Sequence, residues 1–176
     1  MVTTSPFAPS RRAIAWIALA LITLHNAEEA LAFRTLLPRV PSLLPEPFSS
    51  IAAGLDYPTM LLALAVVTLV AAIVALATVI RPNSPRALWA LLTLEAVMAI
   101  NAVAHVASAL FVFAGYGPGL LTALLLNAPF AIWCFRRARR ERWVSTPALL
   151  ATVPAALVLH GPALAGGLWL AGRAAH

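Results

Sequence analysis

The sequence has no lysine and few charges of any kind: twelve arginines and six acidic residues make up 10% of its 176 residues. A soluble domain is ordinarily about one quarter charged, so this composition argues against a water-soluble fold. Hydrophobic residues account for 62% of the chain, as is typical of a membrane protein. The net charge of +6 does not indicate nucleic-acid binding, because the arginines stand between apolar segments, where topology signals are found.

Cysteine is also scarce. Cys134 is the single cysteine of the sequence, which excludes an internal disulfide and C-x-x-C redox chemistry. Its neighbours Trp133 and Phe135 indicate a packing role. The sequence contains no sustained repeat and no low-complexity tail. We therefore expect one bundle over residues 1–176 rather than several domains.

Long apolar segments dominate the chain. A helix needs about 20 residues to cross the hydrocarbon core of a bilayer, and five segments approach or exceed that length. The first is too long for a cleaved signal peptide, so we expect it to be retained. In the fifth, Pro154 and the His160-Gly161-Pro162 sequence predict a kink or break. The sequence thus predicts an all-α transmembrane bundle with spans at about residues 13–33, 59–80, 87–114, 119–135 and 147–172.

The arginines are distributed unevenly between the two ends of this predicted bundle. Arg34, Arg39 and Arg173 fall on one side, and the other nine fall on the opposite side. Cytoplasmic loops carry the excess of basic residues, so we predict a multi-pass protein of the bacterial inner membrane with a cytoplasmic N-terminus and an external C-terminus. The nine are Arg11, Arg12, Arg81, Arg86, Arg136, Arg137, Arg139, Arg140 and Arg142.

The first span contains the unusual polar sequence HNAEEA. Residues three and four positions apart share a helix face, so His25, Glu28 and Glu29 point the same way. An acidic residue near the middle of a membrane helix costs about 3 kcal/mol on insertion scales. Serine or asparagine would join two helices without that cost. Two adjacent glutamates therefore indicate a functional site more than simple helix–helix adhesion.

Later spans supply further polar side chains that can meet this face. A rise of about 1.5 Å per residue places the three histidines of the spans between about 18 and 27 Å from the predicted inner boundary. Agreement in height predicts a single polar pocket in the middle to outer half of the bundle. The additional residues are Glu95, Asn101, His105, Asn127 and His160.

Three sequence features resemble a known family. His25-Asn26-Ala27-Glu28-Glu29 fits the H-x-x-E-E signature of the HXXEE family of small bacterial membrane proteins. His105 occupies the position of that family's second histidine, and Tyr116-Gly117-Pro118-Gly119 fits its Y-x-P-G motif. The resemblance spans most of the chain. It implies a small integral membrane protein, and it carries no activity with it because the family is largely uncharacterised.

The residues themselves favour acid–base catalysis on a lipid-soluble substrate. A carboxylic acid in an apolar cavity can deliver a proton while a nearby imidazole accepts one, as an isomerase or a protonation-initiated cyclase of a terpenoid or polyketide-like lipid requires. One alternative is a metal-dependent membrane enzyme, since histidine and glutamate bind zinc or iron. Another is a small proton or metal-ion transporter, although no inverted repeat supports it. Interhelical hydrogen bonding is the preferred interpretation for Asn101 and Asn127 taken alone.

These interpretations assign the following roles. The predicted catalytic residues are His25, Glu28, Glu29 and His105. The predicted substrate-binding residues are Asn101, Tyr116, Asn127, His160 and Glu95. The catalytic prediction needs no cofactor, whereas the alternative places a transition metal on His25, Glu29, His105 and His160. The expected partners are the lipid bilayer and a hydrophobic small molecule, not nucleic acid, and oligomerisation is left open.

Overall fold

The computed structural model describes residues 9–46, 48–163 and 165–167, and its regular elements in those ranges are all helical. A 3₁₀ turn at Leu37–Arg39 joins the first two helices. The predicted all-α architecture is confirmed. The α-helices are α1 Arg11–Leu36, α2 Val40–Leu43, α3 Phe48–Ala53, α4 Tyr57–Ile80, α5 Pro85–Phe111, α6 Leu120–Thr122, α7 Ala128–Glu141 and α8 Thr146–Val158. Two further segments are π-helical. Ala123–Asn127 connects α6 to α7, and Leu159–Ala163 extends α8.

The long helices begin where the sequence places capping side chains. Ser10, Asp56, Ser84 and Ser145 each accept a hydrogen bond from the main-chain N–H three residues later, which satisfies an otherwise unpaired donor at the helix start. The end of α5 is less regular. The helix stops at Phe111, three residues before the predicted boundary, and Ala114 adopts a positive φ of 48° in the connection that follows.

Among the described residues, four helices are long and apolar enough to cross a membrane, so the chain is a membrane protein. They cover Arg11–Leu43, Tyr57–Ile80, Pro85–Phe111 and Thr146–Gly167. The predicted span 119–135 corresponds to α6, the first π segment and α7, which we call the returning helix (Leu120–Glu141). It is not among the four, because arginines occupy its C-terminal part.

The connection between α1 and α4 contains the short helices α2 and α3. In the fifth span, α8 continues through Pro154, and the expected break takes the form of a change to π-helical geometry at Leu159. Residues 168–172, the predicted end of that span, and Arg173 lie outside the described residues.

Small side chains allow the helices to pack closely. α1 packs along α4, while α5 contacts α7 and α8. Ala18, Ala71 and Ala75 are essentially inaccessible, as expected where helix backbones approach in a membrane bundle. The outward face of α4 is apolar and exposed, and Leu62 and Ile73 are both more than half exposed. This face is suited to contact with acyl chains.

One end of the bundle is basic. The Arg12 guanidinium donates to the carbonyl of Val79 at 3.0 Å, which joins the start of α1 to the end of α4. Arg137 donates to the carbonyl of Pro9 at 2.6 Å, which joins the end of α7 to the same place. The Trp89 indole donates to the carbonyl of Ala148 at 2.9 Å, which adds the start of α8. The returning helix thus runs back toward the start of α1, as the five-span arrangement predicts.

Candidate intramembrane polar site

Two histidines and one glutamate from two helices meet inside the bundle. His25 and Glu29 lie one turn apart on α1, and His105 comes from α5. One carboxylate oxygen of Glu29 lies 3.6 Å from Nε2 of His25, and the other lies 3.5 Å from Nε2 of His105. The two imidazole rings meet edge to face, with centroids 4.9 Å apart. We call these three residues the His–Glu cluster.

A glycine closes one side of the His–Glu cluster. Gly119 has a φ of +74°, a conformation that disfavours residues with a side chain, and it precedes the returning helix. A Cβ at this position would lie 2.7 Å from His25 and 2.8 Å from both Glu29 and His105. The last residue of the Tyr116-Gly117-Pro118-Gly119 motif is therefore the point at which the main chain comes directly against all three side chains.

Glu28 makes a different set of contacts from its neighbour Glu29. Its carboxylate accepts four hydrogen bonds, from the Tyr116 hydroxyl at 2.8 Å, the Leu121 N–H at 3.1 Å, the Thr122 N–H at 2.8 Å and the Thr122 hydroxyl at 2.6 Å. A carboxylate offers about four acceptor sites, so this set fills them. Glu28 holds the start of the returning helix against α1.

The same network fixes the orientation of His25. The Thr122 hydroxyl gives its proton to Glu28, so it accepts a hydrogen bond from Nδ1 of His25 at 2.8 Å. On the other side of the ring, Nε2 lies 2.7 Å from the amide nitrogen of Asn101, which is a donor. This arrangement assigns the proton of a neutral ring to Nδ1 and leaves the lone pair on Nε2, the atom that faces Glu29.

His105 has one ring nitrogen without a partner. The residue is only 8% exposed, and its Nε2 atom makes no hydrogen bond to any described residue. The main-chain carbonyl of Pro118 is a hydrogen-bond partner of the His105 ring. Because Nε2 makes no hydrogen bond, we assign this contact to Nδ1. The unpartnered Nε2 atom of His105 therefore faces Glu29, as Nε2 of His25 does.

Tyr116 lies at the edge of this network and is 47% exposed. Partial burial, together with the hydrogen bond to Glu28, raises the pKa of Tyr116 to about 12. The hydroxyl therefore keeps its proton at any physiological pH and remains a donor to Glu28. Two of the predicted substrate-binding residues border the His–Glu cluster. Tyr116 forms a hydrogen bond with Glu28, which is next to the cluster, and Asn101 forms one with His25, which belongs to it.

The other three predicted substrate-binding residues stand apart from this network. Glu95 and Asn127 are both buried, and Oε2 of the first and Nδ2 of the second have no hydrogen-bond partner within the described ranges. No described hydrogen bond joins the two to each other. His160 is half-buried on the second π segment, and it acts on His105 electrostatically without a described hydrogen bond or ion pair.

Two residues of the network were not predicted from the sequence. Thr122 links His25 to Glu28, and Gly119 packs on the His–Glu cluster. A threonine three residues after a turn glycine, at the start of an apolar segment, was the available signal. Asn26 belongs to another contact: its amide donates to the Thr68 hydroxyl at 2.8 Å and joins α1 to α4.

The geometry allows two kinds of chemistry. One ligand atom from each of His25, Glu29 and His105 lies within 4.8 Å of the other two, so the three can hold a metal ion. The same carboxylate and two imidazoles can exchange protons with a bound molecule. Both uses need the Nε2 atoms that face Glu29, of which that of His105 is free and that of His25 accepts a hydrogen bond from Asn101.

Comparison with known proteins adds a family but no activity. The model of the family described as "Protein of unknown function with HXXEE motif" matches residues 16–134, well over half of the chain. No curated protein and no solved structure gives a match. The matched region holds the whole His–Glu cluster and ends before His160. The chain therefore belongs to the HXXEE family, as the three sequence motifs suggested.

Proposed function

We propose that this protein is an integral-membrane enzyme that acts on a hydrophobic small molecule at the His–Glu cluster. The observation that carries the proposal is the position of Glu29: its two carboxylate oxygens lie 3.6 and 3.5 Å from the imidazoles of His25 and His105. No arginine is among its described ion-pair partners. Acidic side chains inside a bundle are costly, and their usual explanation is a functional site.

The preferred reaction is isomerisation or cyclisation by proton transfer. One proton is added to the substrate at one carbon and one is removed from another, so the composition of the molecule does not change. A carboxylic acid and an imidazole held a few ångströms apart can serve the two positions of one bound molecule. A terpenoid or polyketide-like lipid offers the alkene or carbonyl groups that such chemistry needs.

The two glutamates have separate roles in this proposal. Glu29, with His25 and His105, faces the substrate and exchanges protons with it. Glu28 is a positioning residue, since its four hydrogen bonds are used to hold the returning helix. The remaining predicted binding residues keep that role as predictions, with Asn101 and Tyr116 nearest the reacting atoms and Asn127, His160 and Glu95 farther away.

An apolar groove supports a hydrophobic substrate. It has a volume of about 920 Å³ and lies between α4 and α8 over the face of α5. Small-molecule sites typically have volumes of about 300–1,000 Å³. Val97 lines the groove one helical turn before Asn101, whose amide contacts His25. A lipid tail in the groove would place its polar head near the His–Glu cluster.

The proposed location is a bacterial inner membrane with the basic end in the cytoplasm. Arg12 contacts Val79 and Arg137 contacts Pro9, so the start of α1 and the ends of α4 and α7 lie together at one end. Basic residues are retained on the cytoplasmic side. His25 lies 14 residues into the bundle from Arg11, about 21 Å from that end. The His–Glu cluster then opens in the outer half of the membrane, and the C-terminus is external.

Deuterium incorporation tests the proposal. The full chain is reconstituted into vesicles in D₂O with a panel of terpenoid and polyketide-like lipids, which are then analysed by mass spectrometry. We expect one lipid class to gain deuterium at carbon. Glu29→Gln should abolish the gain, because the amide cannot exchange a proton in this way. Glu46→Gln, the same change at an exposed loop residue, should have no effect.

Two results would contradict the enzyme assignment. Undiminished incorporation by Glu29→Gln would remove Glu29 from the reaction. Absence of incorporation from every lipid, together with passage of protons or metal ions down an imposed gradient, would replace the enzyme by a transporter. Circular dichroism of both glutamine variants in the same vesicles shows that a loss of activity is not a loss of helical structure.

A further inference from the structure

We propose that His25, Glu29 and His105 bind one divalent transition-metal ion of the zinc or iron type. The inference rests on the proposed function, because it concerns the reacting centre of that function. It adds a cofactor to a set of side chains that already converge. The three ligands are two imidazoles and one carboxylate, the combination that catalytic zinc sites and non-haem iron sites both use.

Two distances in the cluster are close to those between the ligands of such an ion. Ligand atoms about 2.0–2.2 Å from a tetrahedral zinc ion lie roughly 3.3–3.6 Å from one another. The two carboxylate oxygens of Glu29 lie 3.6 and 3.5 Å from the imidazole nitrogens of His25 and His105. These separations exceed those of ordinary hydrogen bonds, which are about 2.7–3.2 Å. One ligand atom from each residue lies within 4.8 Å of the other two, so an ion that used a single Glu29 oxygen would draw the three side chains slightly closer together.

An unpartnered atom points to the same ligand independently. Nε2 of His105 is a polar atom in a side chain that is nine-tenths buried, and none of the described residues forms a hydrogen bond with it. A buried polar group without a partner is costly, so its position requires an explanation. It lies 3.5 Å from the Glu29 carboxylate, on the side where the ion would be held.

The surrounding residues orient the two imidazoles as metal ligands are usually oriented. A metal-bound histidine generally donates its other ring N–H to a carbonyl, a carboxylate or a similar acceptor. Nδ1 of His25 meets the Thr122 hydroxyl, which in turn is bonded to Glu28. The His105 ring meets the carbonyl of Pro118. Nε2 of His105 is left free for the proposed ion, and Nε2 of His25 becomes free when the Asn101 amide turns away.

Asn101 is the residue that must move. Its amide nitrogen lies 2.7 Å from Nε2 of His25, so an ion at this nitrogen requires the amide to turn. Rotation of the side chain about χ2 exchanges its nitrogen for its oxygen, which can occupy the fourth position until a water molecule or a substrate displaces it. Three protein ligands with one exchangeable position are the arrangement of catalytic zinc sites. Bound there, the ion would polarise a substrate oxygen or activate a water molecule, and that water, instead of the side-chain atoms bound to the ion, would exchange protons with the substrate.

Metal content tests this inference without an activity assay. The full chain is purified in detergent through a tag free of histidine and analysed for metals, and Zn²⁺ binding is then titrated against a chromogenic chelator. We expect one equivalent per chain. Glu29→Gln and His105→Asn should each weaken Zn²⁺ binding by more than about 100-fold. Co²⁺ substitution should give the visible absorption of a tetrahedral site.

A matched control separates a specific site from general binding. Glu46→Gln removes an exposed carboxylate outside the cluster and should bind Zn²⁺ within about threefold of wild type. Unchanged binding in Glu29→Gln and His105→Asn, or no stoichiometric binding by wild type, would overturn the inference. If metal is absent while Glu29→Gln still abolishes deuterium incorporation, only the metal site fails. If metal is bound and no lipid reacts, only the proposed enzyme fails.

Discussion

The two ends of the bundle treat their acidic residues differently. At the basic end, Glu141 accepts a hydrogen bond from Arg137 at 2.6 Å and another from the Trp143 indole at 2.8 Å. In the His–Glu cluster, Glu29 has two imidazoles at 3.6 and 3.5 Å as its described ion-pair partners. Each oxygen of the Glu141 carboxylate accepts a short hydrogen bond, whereas the two oxygens of Glu29 lie beyond ordinary hydrogen-bond distance from the imidazoles.

We interpret this difference as one between residues that hold the bundle together and residues that bind a ligand. Although partial burial opposes the effect, the hydrogen bonds from Trp143 and Arg137 lower the pKa of Glu141, so this carboxylate is a stable anion that anchors the basic end. Glu28 resembles Glu141, since its acceptor sites are filled. Glu29 does not, and we propose that a metal ion or a substrate completes its contacts.

The largest effect should come from a single methyl group at the motif glycine. In Gly119→Ala the new Cβ would lie 2.7–2.8 Å from all three cluster residues, and the positive φ adds strain of about 1–3 kcal/mol. We expect Zn²⁺ binding and turnover to fall by more than about 100-fold. Gly115→Ala is the control in the same connection, because the nearest atom to its added Cβ would lie 4.0 Å away. Equal loss in both variants would mean that the connection, and not the cluster, was disturbed.

An intermediate effect is expected at Thr122, which supports the His–Glu cluster without being part of it. Thr122→Val keeps the shape of the side chain but removes the hydroxyl between His25 and Glu28. Loss of a group that orients a metal ligand costs about 10- to 100-fold in affinity or activity. We expect a fall in that range with helical content unchanged, measured by Zn²⁺ titration and circular dichroism. Thr122→Ser, which restores the hydroxyl, should recover most of the loss; failure to recover would show that packing alone matters here.

The smallest effect should be at the basic end and should act on stability only. Glu141→Gln removes the charge that Arg137 contacts, which we expect to lower the free energy of unfolding by about 1 kcal/mol at neutral pH. Since the pKa of Glu141 is lowered on folding, its contribution is complete above the unfolded value of about 4.3 and is lost as the pH falls through the folded value.

Thermal unfolding of wild type and Glu141→Gln in detergent at several pH values measures this contribution. The difference in Tm should be largest near neutral pH and should shrink as the solution is acidified below about pH 4. Zn²⁺ binding and turnover should be unchanged. A loss of either would show that the basic end and the His–Glu cluster are not independent.

The sequence predicted the convergence of His25, Glu29 and His105 because two regular helices carry them. Helical periodicity places the first two on one face of α1, and a constant rise per residue brings His105 to a similar height on α5. The early end of α5 at Phe111 and the positive φ of Ala114 depend on how the connection packs. No periodicity describes that path.

The contacts of Gly119 and Thr122 were therefore not predicted, because they follow from the path of that connection. The distinction between Glu28 and Glu29 was missed for the same reason. Both lie on the same predicted face, and only the position of the returning helix decides that Glu28 meets four donors while Glu29 faces the imidazoles. Height alone also could not show that His160 lies outside the His–Glu cluster, because height does not specify the direction of a side chain.

The most direct test of the central claim is a distance measurement in a lipid bilayer. Solid-state NMR of protein labelled with ¹⁵N-histidine and ¹³C-glutamate reports dipolar couplings between the Glu29 carboxyl carbon and imidazole nitrogens, with Glu29→Gln to assign the signal. The structure predicts couplings to both His25 and His105, whose Nε2 atoms lie 3.6 and 3.5 Å from its carboxylate oxygens. A Glu29 signal coupled to neither histidine would contradict the account, whatever the reaction or the metal proves to be.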